Sequence, residues 1–165
     1  VRIQKKRDWK MWAEENKIAN GKEKEVVEGA LIRAKKLDAD IVFLESEIEK
    51  KTIEKEEYLK YAKAAAAKGD KRLRDEYFSK AHDAKRLAYS SKLKASYQAD
   101  KIALVKNVSD GVYTWAEEKS LLQEDVSAIT VIYEKHYIKY IKPVEDEAQM
   151  RQKILEKRRK KREGK

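Results

Sequence analysis

The chain reads as an all-α protein: an elongated antiparallel helical hairpin of coiled-coil type, with a short N-terminal helix and two further C-terminal helices. Three observations predict this. Residues 22–107 contain no proline, since the single proline of the chain is Pro143. Within that stretch Ala30, Ala34, Leu37, Ile41, Leu44 and Ile48 alternate steps of four and three, the period of a helix that lies along a partner. A second seam, Tyr77, Ala81, Ala84, Ala88, Ser91, Ala95 and Ile102, consists mostly of small side chains. Bulky Leu and Ile of one arm then have room over Ala of the other, with Gly69-Asp70 as the bend between them.

Composition narrows the class. The chain has 165 residues, 42% of them charged, and a mean hydropathy of −0.89, which fits one domain held by narrow helical seams rather than by a deep core. Its net charge of +10 falls in blocks. Residues 1–22 carry +4 from seven cations and three carboxylates, 23–68 carry −1 from ten and eleven, and 69–107 carry +5 from ten and five. Residues 108–143 carry −2 from four and six, and 144–165 carry +4 from nine and five. Both ends and the second arm are therefore basic. The absence of cysteine excludes a disulfide framework and a thiolate metal or redox centre, and an intracellular, reducing compartment is the expected setting. No apolar run approaches the roughly 18 residues of a membrane span. The start at Val1, without Met, implies either a removed leader, of which an import sequence for an organelle such as the mitochondrion is one kind, or ends that are not those of the gene product.

Taken in order, residues 1–21 predict a short basic helix closed by Gly21 in the left-handed conformation. It carries Trp9, Met11 and Trp12 among Lys5, Lys6, Arg7 and Lys10. Trp9, Trp12 and Ala13 share a face while Met11 and Ile18 point the other way, which is not the clean apolar stripe of a membrane-surface helix. The tryptophans are expected to dock onto the bundle or onto another subunit, with membrane surface and nucleic acid as weaker readings. The hairpin spans residues 22–107, with its tip at 69–70. Its first arm, about 23–68, places Lys51 and Lys55 at seam positions, a fault that suits a helix changing partners. Gly29 costs about 1 kcal/mol relative to Ala inside a helix, so the arm is free to begin after it. Asp70 is the expected cap of the second arm, about 71–106. Asn107 to Gly111 reads as the next turn, and its sequon Asn107-Val108-Ser109 as part of that cap and turn.

The segment 112–142 is the aromatic helix. Thr114-Trp115-Ala116-Glu117 fits a capping box, which predicts a helix over 115–141, the most buried of the chain, with Trp115, Leu122, Val126, Ile129, Tyr133 and Tyr140 inward. Pro143 is expected to end it. The last segment, 144–165, predicts a helix over 144–162, acidic at its start and basic at its end as the helix dipole prefers. It has little to bury beyond Val144, Ala148, Met150, Ile154 and Leu155.

Chemistry of sites finds no foothold. The five glycines are isolated, which excludes a glycine-rich phosphate loop. His82 and His136 lack the Glu-x-x-His and His-Glu-x-x-His spacings of helical metal sites. The carboxylates sit among Lys and Arg, where helix-stabilising pairs account for them. No catalytic, cofactor or metal residue is therefore assigned, and the chain is expected not to be an enzyme or to take a small-molecule substrate. Tyr133, Tyr137 and Tyr140 form an i, i+4, i+7 stripe suited to core or interface packing. Lys157, Arg158, Arg159, Lys160, Lys161 and Arg162 suit an acidic protein neighbour, anionic lipid or nucleic-acid phosphates.

The segment Tyr61-Ala62-Lys63-Ala64-Ala65-Ala66-Ala67-Lys68-Gly69-Asp70-Lys71 joins two long charged helices and follows a basic segment with Trp9 and Trp12. In this it resembles the hairpin tip of phage-shock and ESCRT-type membrane-remodelling proteins. That resemblance covers about a third of the chain and implies a polymer that remodels membranes. The short arms and the aromatic residues between Thr114 and Ile141 depart from it. The reading favoured by the residues is a non-enzymatic structural or assembly subunit of a larger complex. It would dock onto other protein subunits through its basic ends, with Trp9 and Trp12 at one and residues 157–162 at the other, and through its aromatic helix. A basic nucleic-acid-associated module of a ribonucleoprotein is the remaining class.

Overall fold

The fold is given by a computed structural model that describes residues 22–164. The N-terminal helix expected over 1–21 lies outside these described residues. In order come α1 (Glu23–Ala67), α2 (Lys71–Trp115), a 3-10 turn (Lys119–Leu121), α3 (Gln123–His136), a π turn (Tyr137–Ile141) and α4 (Lys142–Arg162). The fold is 93% helical without a strand among the described residues, and α1 and α2 pack against each other as an antiparallel hairpin.

The tip forms where the sequence places it, for a local reason. Gly69 has φ +79°, a left-handed conformation that costs glycine little. Its N–H donates to Ala66 O and the Asp70 N–H donates to Ala65 O, both at 3.0 Å, the bond pair of a Schellman closure. Asp70 then opens α2, its Oδ1 accepting the Leu73 N–H at 3.0 Å, which satisfies a donor the helix cannot.

Two compact units share the hairpin, one made of residues 37–98 and the other, among the described residues, of 22–36 and 99–164. In the first, Leu37, Ile41, Ala62 and Ala65 of α1 and Ala81, Ala84 and Ala95 of α2 are buried, and Leu44, Ile48, Ala88 and Ser91 are half-buried. These are the predicted seams. Lys51 and Lys55 do not mark a change of partner. Both are half-buried, Lys51 pairs with Glu54 at 3.1 Å, and the same alternation of steps resumes through Tyr58, Ala62 and Ala65. Long lysine stems cover a seam while their ammonium groups reach its rim. Tyr58, Tyr61 and Tyr77 cluster below the tip with ring centroids 5.4–6.5 Å apart, and Lys80 Nζ lies 5.9 Å and 5.8 Å from the Tyr58 and Tyr77 rings.

In the other unit, α1 begins at Glu23 and runs through Gly29 without a break, so the later start that Gly29 would permit is not taken. The larger correction concerns residues 107–111. They form no turn, and α2 continues to Trp115. Ile102, Val105, Ser109 and Val112 are buried in one uninterrupted seam, and packing of that seam outweighs the poor helix propensity of Asn107, Ser109 and Gly111. Ser109 Oγ donates to Lys106 O at 2.9 Å, and Thr114 Oγ1 donates to Asp110 O at 2.9 Å. Thr114 therefore sits inside α2 rather than capping a new helix, and the capping box at 114–117 does not form.

The aromatic helix starts later than expected, at Gln123. Ile129 and His136 are the buried residues of α3, flanked by buried Leu122 and Tyr140. Nor does Pro143 stop the chain. The π turn carries α3 into α4, with the Lys142 N–H donating to Tyr137 O, and Pro143 falls in the first turn of α4. There its missing N–H is not needed and its fixed φ already suits a helix.

Candidate functional site

The tyrosine stripe is divided between core and rim. Tyr140 is buried, its ring 6.3 Å from that of His136. Tyr133 and Tyr137 are half-buried, with ring centroids 5.6 Å apart. The Tyr137 hydroxyl donates to Glu145 Oε2 at 2.8 Å, and this bond, together with burial and nearby carboxylates, raises the tyrosine pKa. Lys106 Nζ lies 5.3 Å from the Tyr133 ring and pairs with Asp110. What the α3 region leaves outward is aliphatic, Val131 and Ile138.

The C-terminal helix is the opposite case. No residue of α4 is buried, although Val144, Met150, Ile154 and Leu155 are large and apolar; Met150 is 67% exposed. Its charges satisfy one another locally, as in Lys142–Asp146 and Arg159–Glu163, both at 3.9 Å, and such exposed pairs contribute little. Lys157, Arg158, Arg159, Lys160, Lys161 and Arg162 are all exposed and follow directly on the apolar positions. Trp9 and Trp12, the other residues singled out by sequence, lie outside the described residues.

A face of α2 that the sequence did not single out is also exposed. Tyr89, Leu93 and Tyr97 stand at i, i+4 and i+8, with the tyrosines 62% and 71% exposed. Lys85, Arg86, Lys92 and Lys94 surround them, and residues 84–98 contain no acidic side chain. The signal was available in the seam itself. With Ala84, Ala88, Ser91 and Ala95 turned inward, these three residues have no place there and must lie outside it.

Among the described residues, hollows open in the unit that includes the start of α1. One, of about 430 Å³, is lined by Glu23, Lys24, Trp115, Glu117, Glu118 and Leu121 among others. The second, of about 320 Å³, lies between Val26, Gly29, Ala30 and Arg33 of α1 and Lys101, Leu104, Val105 and Val108 of α2. Among the described residues no group of three or more His, Cys, Asp or Glu is placed to hold a metal ion, and no helix is long and apolar enough to cross a membrane. Compared with family models, with curated proteins and with solved structures, the chain matches none.

Proposed function

We propose that this chain is a non-enzymatic assembly subunit, in which the hairpin is a rigid support and α4 is the docking element for an acidic protein partner. The observation that carries this reading is the bare state of α4: 21 residues of helix with no buried side chain, four exposed apolar groups and a run of six cations. An isolated helix of this kind has little to hold it in water, because most helical stability in proteins comes from packing an apolar face. A partner surface with an apolar strip and an acidic border would supply both missing contacts. The exposed aliphatic residues Val131 and Ile138 give the aromatic segment a lesser part in the same docking.

The test uses the full chain as bait in its native source, beside a variant with Met150, Ile154 and Leu155 changed to Ser and another with residues 157–162 changed to Gln. The reading expects specific protein partners captured by the parent and lost with either variant. Flotation with vesicles containing anionic lipid and a mobility assay with RNA, each across a salt series, provide the contrast. Binding of vesicles or RNA at physiological salt, with no protein captured, would replace the assembly reading by the membrane-remodelling or ribonucleoprotein one.

A further inference from the structure

The outward ridge of α2 carries exposed Tyr89, Leu93 and Tyr97, with four cations and no acid across residues 84–98, a net +4. Its counterpart stands on the other arm. Residues 38–57 of α1 carry −5 from three cations and eight carboxylates, and Val42, Phe43 and Ile53 are exposed there, Phe43 at 65%. These three point away from a seam already filled by Ile41, Leu44 and Ile48. Both ridges belong to one compact unit, residues 37–98. Their levels also correspond. Seam positions of the two arms stand in pairs equally far from the tip, as do Leu44 and Ala95, Ile48 and Ser91, and Tyr58 and Ala81. By the same count Val42 is level with Tyr97, Glu47 with Lys92 and Lys50 with Tyr89.

We infer that copies of this chain associate side by side, the α1 ridge of one molecule seated on the α2 ridge of the next. Within one molecule the two ridges lie on opposite sides of the hairpin seam, so they meet only between molecules. Charge selects this pairing. Two α2 ridges would set cation against cation, and two α1 ridges carboxylate against carboxylate, whereas α1 on α2 joins a net −5 to a net +4. Hairpins laid side by side also keep their levels. Val42 and Phe43 then meet Tyr97, Lys50 reaches the Tyr89 ring as a cationic neighbour, and Glu47 and Glu49 stand within reach of Lys92 and Lys94. Exposed apolar groups on both ridges are covered in the same contact. The contact is heterologous. Each added copy leaves an α1 ridge open at one end and an α2 ridge at the other, so association does not close at a dimer. It is separate from the docking of α4.

The measurement is the weight-average mass of the full chain by sedimentation, over a range of protein concentrations at low and at physiological salt. Mass should climb with concentration past that of a dimer and fall as salt rises. Two charge reversals test the pairing: Lys92→Glu with Lys94→Glu on α2, and Glu47→Lys with Glu49→Lys on α1. Either variant alone should stay monomeric at the parent's helicity, because each sets like charges across the contact. An equal mixture of the two should recover the parent's growth, since the reversed ridges fit each other and the untouched ridges still match. Misfolded variants could not produce that recovery. Tyr89→Ser with Tyr97→Ser, at exposed positions, should weaken association at least tenfold with helicity unchanged by circular dichroism. A parent that is monomeric throughout would overturn the inference. So would a mass that levels off at the dimer, association that persists in either reversal, or a mixture that fails to associate.

Discussion

Tyr137 shows how a single side chain ties two elements. Its hydroxyl bridges from the π turn to Glu145 of α4, and the neighbouring carboxylates oppose its ionisation, so its pKa is raised in the fold. The linkage has a definite sign. A group with a raised folded pKa contributes fully below its unfolded value, about 10 for tyrosine, and loses that contribution as pH climbs through the folded value. Across roughly pH 9–11, which brackets the ordinary tyrosine ionisation, the melting temperature of the parent should fall more steeply than that of Tyr137→Phe. Parallel curves would remove the bond from the alkaline limb. At the tip, Gly69→Ala forces a Cβ into the left-handed region and should cost about 1–2 kcal/mol. The bend at Gly69 and the Asp70 cap were legible because turn chemistry is local. Ser109 was not, since a small hydroxyl side chain suits a cap and a helical seam equally and only burial decides between them.

At the scale of elements, the alternation of large and small side chains can be tested directly. Ala84 is buried and Ala88 half-buried, so Ala84→Leu should destabilise the hairpin by about 1–3 kcal/mol through overpacking, and Ala88→Leu by less. Equal melting temperatures for parent and Ala84→Leu would mean that α1 does not press on that face. Both seams of the hairpin could be read from periodicity, because a strict step pattern has few competing explanations. The boundaries after residue 106 could not. Asn107, Gly111, Thr114 and Pro143 are each breakers in isolation, but Val105 and Val112 on either side are buried and hold the helix through the first two. Pro143 is absorbed by a wider turn that no periodicity announces. The exposed row Tyr89, Leu93 and Tyr97 was legible only by exclusion from the seam, since aromatic residues are ordinarily assigned inward.

For the whole molecule, far-ultraviolet circular dichroism should report a predominantly helical protein, in keeping with 93% helix among the described residues. Charge divides its contacts into two kinds. Exposed cations of α4 act through fields screened over about 8 Å at physiological ionic strength, whereas burial of Met150, Ile154 and Leu155 would not be weakened by salt. Capture of a partner should therefore decline with salt in the parent and become nearly salt-independent, at a lower level, once residues 156–165 are removed. An unchanged salt slope after that deletion would relocate the electrostatic contact to the Lys85–Lys94 face of α2. The charge blocks were visible in the sequence, whereas the burial of Tyr140 beside half-buried Tyr133 and Tyr137 was not.

The π turn sets a phase. Leu122, Ile129 and His136 before it and Tyr140 within it face inward; downstream no residue is buried, and one additional residue in a turn rotates everything after it by about 100°. Deleting Ile141 together with Pro143→Ala would turn the wider loop back into ordinary helix without moving the residues before it. The helical signal should then persist while Met150, Ile154 and the terminal cations point elsewhere, and partner capture should fail. Capture at the parent's level would mean that α4 is read by its partner as a charge and not as a face. In the bearing of that helix, a single residue acts like a tooth on a gear.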